Sequence, residues 1–177
     1  MKKLSITLIF ILISTLTFAC SCSWTNFLKA SKNSELIIKA RVLKHNYYLP
    51  NGKLTNLTHI DSLDYSGHSI TIELIEIIKG TEKRKTFEIY GGNGWDCRPP
   101  LQNFEINKTY IFSIYKTNRT KWSQTQEDNK DYSLYSCSEF LIEYFPETNE
   151  VKGRLRGKKS SINERIWTYD KFLKKIT

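Results

Sequence analysis

Four cysteines are the residues of this sequence whose type and spacing could do chemistry. Cys20 and Cys22 are separated by one residue near the start of the chain, whereas Cys97 and Cys137 stand far along it. An even number of cysteines in an exported protein favours two disulfides. A four-cysteine zinc site is the alternative, although structural zinc sites prefer two residues, not one, between close cysteines.

The two N-terminal cysteines cannot form a disulfide with each other without severe strain, because a bridge needs a proper approach of the two Cβ atoms. Each of them must therefore reach a different strand or loop. Bridges across such long loops stabilise a fold by about 4–5 kcal/mol each in the chain-entropy model. They would also hold the N-terminal segment rigidly against the rest of the domain.

The start of the chain has the composition of a signal peptide. Lys2 and Lys3 precede an apolar run, and small residues lead up to Ala19. This run is shorter than the roughly 20 apolar residues that a membrane-spanning helix needs. We therefore predict that residues 1–19 are removed and that residues 20–177 form one secreted or periplasmic domain.

Lipid attachment at Cys20 is an alternative that the sequence leaves open. Exported bacterial lipoproteins place leucine three residues before the modified cysteine, whereas here Thr17 holds that position and Leu16 stands one residue too early. A lipid at Cys20 would block its amine and keep its sulfur out of a disulfide. The protein would then be an envelope lipoprotein anchored through Cys20.

The formal net charge of +9 marks a basic protein. In an exported chain this charge favours membrane headgroups, anionic glycans or an acidic protein as partners, and we expect no nucleic acid. The densest basic run spans residues 152–159. We interpret it as a solvated hairpin edge, where charge discourages edge pairing, and contact with an anionic glycan or headgroup is the functional alternative.

The pattern of apolar residues predicts a mainly β domain with a helix near each end. Strands are predicted at residues 35–43, 69–78, 85–90, 109–115, 132–137, 140–145 and 151–155. A short helix is predicted at residues 26–31. A capping box at Ser161–Glu164 predicts the start of a C-terminal helix, whose apolar face holds Ile162, Ile166, Tyr169, Leu173 and Ile176. Residues 48–67 and 116–130 are interpreted as surface loops, the second one mobile. This organisation is typical of a small Greek-key barrel or sandwich.

The cysteine positions and the order of elements together resemble the netrin-like domain of the tissue inhibitors of metalloproteinases and its bacterial relatives. The shared features, in chain order, are a mature Cys-x-Cys start, a short helix, a strand at 36–43, a strand ending at Ile78-Lys79-Gly80, Cys97, Phe104, a strand at 110–115 and Cys137. The likeness covers roughly residues 20–140, judged by motif order. It implies a small OB-type β-barrel with the bridges Cys20–Cys97 and Cys22–Cys137.

The resemblance also implies a function. The free amine and carbonyl of Cys20 would chelate the catalytic zinc of a target metalloprotease, and the side chain of Ser21 would point into the pocket beside the scissile site. The other residues of this inhibitory ridge would be Cys22, Asp96, Cys97 and Arg98. An α-amine with a pKa near ~8 can lose its proton and donate to zinc at modest cost.

The sequence contains no motif that indicates an enzyme. It has no G-x-S-x-G elbow, and cysteines that are paired cannot act as nucleophiles. His45, His59 and His68 follow no metalloprotease pattern and are interpreted as solvated side chains. We therefore predict a monomeric, non-catalytic protein without a cofactor. It would be a metalloprotease inhibitor or, alternatively, a module that binds an anionic glycan, a membrane surface or a protein.

Overall fold

The structure is a computed structural model that describes residues 24–55, 67–92, 97–118, 123–134, 138–157 and 164–176. Within these ranges the strands are β1 (Leu36–Tyr48), β2 (Leu54–Thr55), β3 (Gly67–Lys79), β4 (Thr86–Tyr90), β5 (Thr109–Lys116), β6 (Tyr132–Leu134), β7 (Ile142–Phe145), β8 (Glu150–Gly153) and β9 (Arg165–Thr168). The helices are α1 (Phe27–Ala30), followed by a 3-10 turn at Ser31–Asn33, and α2 (Tyr169–Ile176). The prediction of a mainly β protein with a short N-terminal and a C-terminal helix is confirmed.

Five of the strands pair in a closed ring, in the order β1, β3, β4, β6 and β5, with β5 returning to β1. All neighbours in this ring are antiparallel except β4 and β6, which are parallel. Because parallel neighbours finish on the same side, the segments after Tyr90 and Leu134 leave the ring at one end. We name this side the exit end, and the opposite side, where β4 and β6 begin and β5 finishes, the entry end.

Strand β1 closes the ring because it is long and bent. It pairs with β3 along nearly all of its 13 residues and with β5 over residues 36–41. Its pairing with β3 shifts register in three places, between Ile37 and Ile38, between Lys39 and Ala40, and between Val42 and Lys44. Such bulges bend a strand and increase its twist, so β1 can follow two neighbours around the ring.

Two hydrophobic cores lie on the two sides of the β1–β5 wall. The inner core fills the ring and includes Ile38, Val42, Ile70, Ile72 and Phe112. The outer core joins the ring to both helices and to β7–β9, and includes Phe27, Ile37, Ile111, Trp167 and Phe172. Successive residues such as Ile37 and Ile38 therefore face different cores, which explains why β1 starts with an unbroken apolar run.

The predicted N-terminal helix is present and capped. The side-chain oxygen of Asn26 accepts a hydrogen bond from the backbone N–H of Lys29 at 3.1 Å, as expected of an N-cap residue. Phe27 and Leu28 are buried in the outer core. This short helix therefore fastens the N-terminal segment to the ring.

The predicted start of the C-terminal helix is wrong. Residues 161–163 of the expected capping box lie outside the described ranges, but Arg165–Thr168 forms β9, and the helix begins only at Tyr169. Strand β9 pairs with β8 and buries Trp167, whereas Ile166, expected on the apolar helix face, is 60% exposed. The β-branched and aromatic residues of Ile166-Trp167-Thr168 suit a strand, and pairing with β8 overrides the helical spacing.

Gly80 ends β3 in a conformation that disfavours other residues. Its φ of 87° lies in the left-handed region, and a Cβ atom there would collide with the carbonyl oxygen of Glu35. We expect Gly80→Ala to lower the free energy of unfolding, measured by urea denaturation, by about 2 kcal/mol. The exposed neighbour Thr81 provides the control, and Thr81→Ala should change it by less than about 0.5 kcal/mol. An equal effect of both substitutions would contradict this account.

Candidate functional site

The segment that carries Cys97 stays at the exit end. After β4 the chain folds back on itself, and the N–H of Gly92 donates to the carbonyl of Pro99 at 3.0 Å. Leu101 packs closely against Gly91, where a side chain would collide with it. Cys97 is exposed, and it is not a free thiol.

The segment that follows Cys137 lies at the same end. The ring of Phe140 contacts that of Phe104, with centroids 6.0 Å apart, and the carbonyl of Phe104 bonds to His45 near the end of β1. Because β4 and β6 are parallel, the segments that follow Tyr90 and Leu134 leave the ring at the same end.

The N-terminal segment lies beside the residues that follow Cys137. Thr25 forms a parallel β-bridge with Ser138, and the N–H of Glu139 donates to the carbonyl of Thr25 at 2.8 Å. The guanidinium of Arg154 lies 5.9 Å from the ring of Trp24 and 3.7 Å from the carboxylate of Glu139. Trp24 and Thr25, the first described residues, therefore lie beside the segment that follows Cys137.

The predicted site residues divide between described and undescribed parts of the chain. Cys97 and Arg98 are described at the exit end, whereas Cys20, Ser21, Cys22, Asp96 and Cys137 lie outside the described residues. The pairing of the cysteines stays a prediction.

A buried ion pair anchors the Cys97 segment. The guanidinium of Arg98 meets the carboxylate of Glu127 with two contacts, Nη2 to Oε1 at 2.8 Å and Nη1 to Oε2 at 2.9 Å. The side chain of Glu127 is 0% exposed and that of Arg98 is 15% exposed. The backbone N–H of Gln124 also donates to Glu127, at 3.2 Å. This charge-assisted pair ties the residue after Cys97 to residues 123–131.

Residues 117–131 join β5 to β6, and the prediction of a solvated surface loop is wrong for part of them. The N–H of Thr117 donates to the carbonyl of Asp131 at 2.9 Å at the entry end. Gln124 reaches the exit end, is 2% exposed, and donates to the carbonyl of Gly91 at 2.8 Å. Burying a polar or charged side chain without a partner would destabilise the fold. Gln124 and Glu127 can be buried because each of them has a polar partner at the exit end.

Two histidines at the exit end form a hydrogen-bonded pair. Nδ1 of His45 lies 2.9 Å from Nε2 of His68, and Nε2 of His45 lies 2.7 Å from the carbonyl oxygen of Phe104. A carbonyl can only accept, so Nε2 of His45 carries the proton, and in the neutral pair Nδ1 accepts from Nε2–H of His68. The ring of Tyr47 stacks on His68 with centroids 4.5 Å apart.

The interpretation of the histidines as solvated side chains is wrong for His68. This side chain is 0% exposed. Burial, together with repulsion from a protonated His45, lowers the pKa of His68 to about 3. The imidazole of His68 is therefore neutral at physiological pH, and its hydrogen bond to His45 ties β3 to β1 at the exit end. His59 lies outside the described residues.

A polar network covers the outer face of β1, β3 and β4. The carboxylate of Glu88 accepts hydrogen bonds from Tyr48 Oη at 2.6 Å and from Ser69 Oγ at 2.7 Å. Asn46 donates to Ser69 Oγ at 3.1 Å and to Thr71 Oγ1 at 2.8 Å. Burial, together with the hydrogen bond and charge of Glu88, raises the pKa of Tyr48 to about 12. The phenol therefore stays protonated and acts as a structural donor.

The basic run at residues 152–157 is engaged in contacts, and the interpretation of it as a hairpin edge is wrong. Strand β8 lies between β7 and β9. Lys152 pairs with Glu164 at 3.1 Å, and the guanidinium of Arg156 lies 5.5 Å from the ring of Trp167. The Lys152–Glu164 pair offsets one of the positive charges of this run, whereas the contact with Trp167 holds Arg156 in place without neutralising its charge.

Two further features bear on the candidate chemistry. Among the described residues, no group of three or more His, Cys, Asp or Glu side chains could hold a metal ion. In the same residues, no helix is long and apolar enough to cross a membrane.

Comparisons with protein-family models and with curated proteins found no match to this chain. The functional conclusion therefore depends on the sequence motifs and on the geometry of the exit end.

Proposed function

We propose that the mature chain, residues 20–177, is an exported inhibitor of zinc metalloproteases that acts through the free amine and carbonyl of Cys20. In this proposal the five-stranded ring is an OB-type barrel, and the bridges are Cys20–Cys97 and Cys22–Cys137. The inhibitory ridge is the exit end, formed by the N-terminal residues and the Cys97 segment.

The observation that carries this proposal is the backbone β-bridge between Thr25 and Ser138. Bridged strands lie about 4.8 Å apart. Cys137 directly precedes Ser138, and Cys22 lies three residues before Thr25, which is at most about 10 Å of extended chain. A chain of this length is long enough to let Cys22 meet Cys137, as the proposed bridge requires.

The position of Cys97 supports the second bridge. Its segment lies at the exit end and is anchored there by the Arg98–Glu127 pair. Since Cys20 is two residues before Cys22, a chain clamped at Ser138 can place Cys20 near the same end. Such a clamp would fix the terminal amine before the target binds, which reduces the entropy lost on binding.

The chemistry of the ridge needs no metal of its own. An α-amine titrates near pH ~8, so a neutral amine is accessible at modest cost and can enter the open coordination position of a catalytic zinc. The adjacent carbonyl of Cys20 supplies a second ligand atom, and Ser21 presents a small hydroxyl beside it. The zinc belongs to the target protease, and the N-terminus would occupy the open coordination position of that zinc.

An N-terminal extension tests the proposal. We expect the chain that begins at Cys20 to inhibit at least one member of a panel of zinc metalloproteases. Adding a single alanine before Cys20 should weaken this inhibition at least roughly 100-fold, because the amine is converted to an amide that cannot donate to zinc. The matched control carries the same alanine after Thr177 and should inhibit fully.

Two results would contradict the proposed function. One is inhibition that survives the N-terminal extension. The other is an absence of inhibition across the panel by a chain whose Cys20 amine is free and whose two bridges are formed. Thermal unfolding of all three proteins establishes that the extension leaves the fold intact.

A further inference from the structure

The entry end carries a cleft of about 410 Å³ between the β3–β4 hairpin and the ends of β5 and β6. Its lining includes Glu82, Lys83, Arg84, Lys116, Lys130 and Tyr132. Strand β5 finishes at Lys116 and β6 begins at Tyr132, so the topology places these side chains at the opposite end of the ring from the Cys97 segment.

A fixed arginine forms one side of the cleft. Arg84 donates to Glu82 from Nε at 3.1 Å and from Nη2 at 2.8 Å, and Nη2 also donates to the carbonyl of Lys130 at 2.9 Å. Its guanidinium lies 5.0 Å from the ring of Phe87 and 5.5 Å from that of Tyr132. The hydrogen bonds from Arg84 hold the pKa of Glu82 down at about 2. Glu82 is thus neutralised by Arg84 and does not compensate the neighbouring lysines.

Three lysines supply excess positive charge. Lys83, Lys116 and Lys130 are exposed, and their ammonium groups pair with no carboxylate in the described part of the chain. The acidic residues nearest to Lys130 along the chain are Asp128 and Asp131, and their carboxylates accept hydrogen bonds from backbone N–H groups of their own turn. The cleft therefore presents several cationic donors to one small volume, which suits a phosphate group.

Exposed isoleucines lie on the same hairpin. Ile75 is 52% and Ile77 is 39% exposed on β3. The N–H of Leu74 donates to the carbonyl of Lys85 at 2.8 Å, so Ile75 and Ile77 run beside the segment that carries Lys83 and Arg84. A surface that combines lysines with exposed branched apolar side chains matches the interface of an anionic bilayer better than it matches a glycan.

We propose that the entry end binds the surface of an anionic phospholipid bilayer, with lipid phosphates in the cleft and Ile75 and Ile77 against the headgroup boundary. This surface is separate from the inhibitory ridge, and it would leave the exit end facing away from the membrane. The proposal does not depend on protease inhibition.

Vesicle sedimentation tests this surface. The probe is the unlipidated mature chain with vesicles of phosphatidylglycerol and phosphatidylcholine, compared with vesicles of phosphatidylcholine alone. Each lysine near an anionic surface contributes about 1 kcal/mol, so Lys83→Gln, Lys116→Gln and Lys130→Gln together should weaken binding roughly 100-fold. The matched control removes three exposed lysines elsewhere, through Lys53→Gln, Lys174→Gln and Lys175→Gln, and should weaken binding by less than about 5-fold.

A second variant separates insertion from charge. Ile75→Ser with Ile77→Ser leaves the net charge unchanged and should weaken vesicle binding roughly 10-fold, because apolar area no longer enters the interface. Equal losses in the cleft variant and the lysine control would overturn the proposal. So would binding to a sulfated glycan or to inorganic phosphate without binding to anionic vesicles, and so would equal binding to both kinds of vesicle.

Discussion

Glu127→Ala is expected to lower the free energy of unfolding by about 3–5 kcal/mol. The carboxylate of Glu127 is 0% exposed and meets the guanidinium of Arg98 in two contacts. Removing one partner of a buried ion pair leaves the other charge without compensation, and this is what makes the single substitution so damaging. Urea denaturation of the oxidised mature chain measures the effect.

A double-mutant cycle supplies the control for this substitution. The Arg98→Met, Glu127→Leu pair removes both charges and fills the same space with apolar groups, so it should be much closer to the wild type than either single change. If Glu127→Ala costs less than about 1 kcal/mol, residues 123–131 do not anchor the Cys97 segment, and the proposed rigidity of the ridge loses its support.

Acidification is expected to destabilise the protein before its carboxylates titrate. The pKa of His68 is held at about 3 in the folded state, whereas an unfolded histidine titrates near ~6.5. Below pH ~6.5 the unfolded chain therefore binds a proton that the folded chain does not, and stability falls as pH falls. The loss should approach about 1.4 kcal/mol per pH unit and reach about 2 kcal/mol at pH ~5.

The choice of pH window isolates this effect. The pKa of Glu82 is lowered to about 2, so Glu82 also makes the protein less stable as pH falls. It does so only below the pH range in which a carboxyl group usually titrates. Burial raises the pKa of Asp131 and of Glu139, so these groups act in the opposite sense, and they do so just above the usual range of a carboxyl group. Measurements between pH ~7 and pH ~5 therefore report chiefly on histidine.

His68→Gln serves as the matched variant for the pH series. It keeps a polar side chain at the site and removes the titrating group, so the slope of unfolding free energy against pH between ~7 and ~5 should become nearly flat, whatever the cost of the substitution itself. An unchanged slope in His68→Gln would show that another group causes the pH dependence.

Most of the strands could be predicted because their sequences alternate or form apolar runs between turn residues. The run from Tyr110 to Tyr115 and the alternation from Ile70 to Ile78 gave two of the ring strands directly. The second half of β1 was missed because Asn46, His45 and Tyr47 look polar in sequence. Their partners are on β3 and at Phe104, and no local pattern reports contacts so far apart in the chain.

The site was predictable only in outline. The cysteine spacing predicts an N-terminus clamped by disulfides, and this stays a prediction, since the Thr25–Ser138 β-bridge shows only that these two residues are neighbours. Gln124 and Glu127 were missed because a polar stretch normally indicates solvent, and their burial depends on partners at Gly91 and Arg98. The C-terminal helix was predicted too early because Ile166 fits a helical spacing and a strand equally well, and only the pairing of β9 with β8 decides between them.

Peptide mapping of the mature protein without reduction tests the central claim most directly, namely that disulfides clamp a free Cys20 amine at the exit end. Because Cys20 and Cys22 stand on one N-terminal peptide, the account predicts a cluster of three peptides, in which this peptide is linked to those of Cys97 and Cys137. Partial reduction with stepwise alkylation should then assign Cys20 to Cys97 and Cys22 to Cys137, and the N-terminal amine should be unmodified. A Cys97–Cys137 link, free thiols at Cys20 and Cys22, or lipid mass on Cys20 would contradict it.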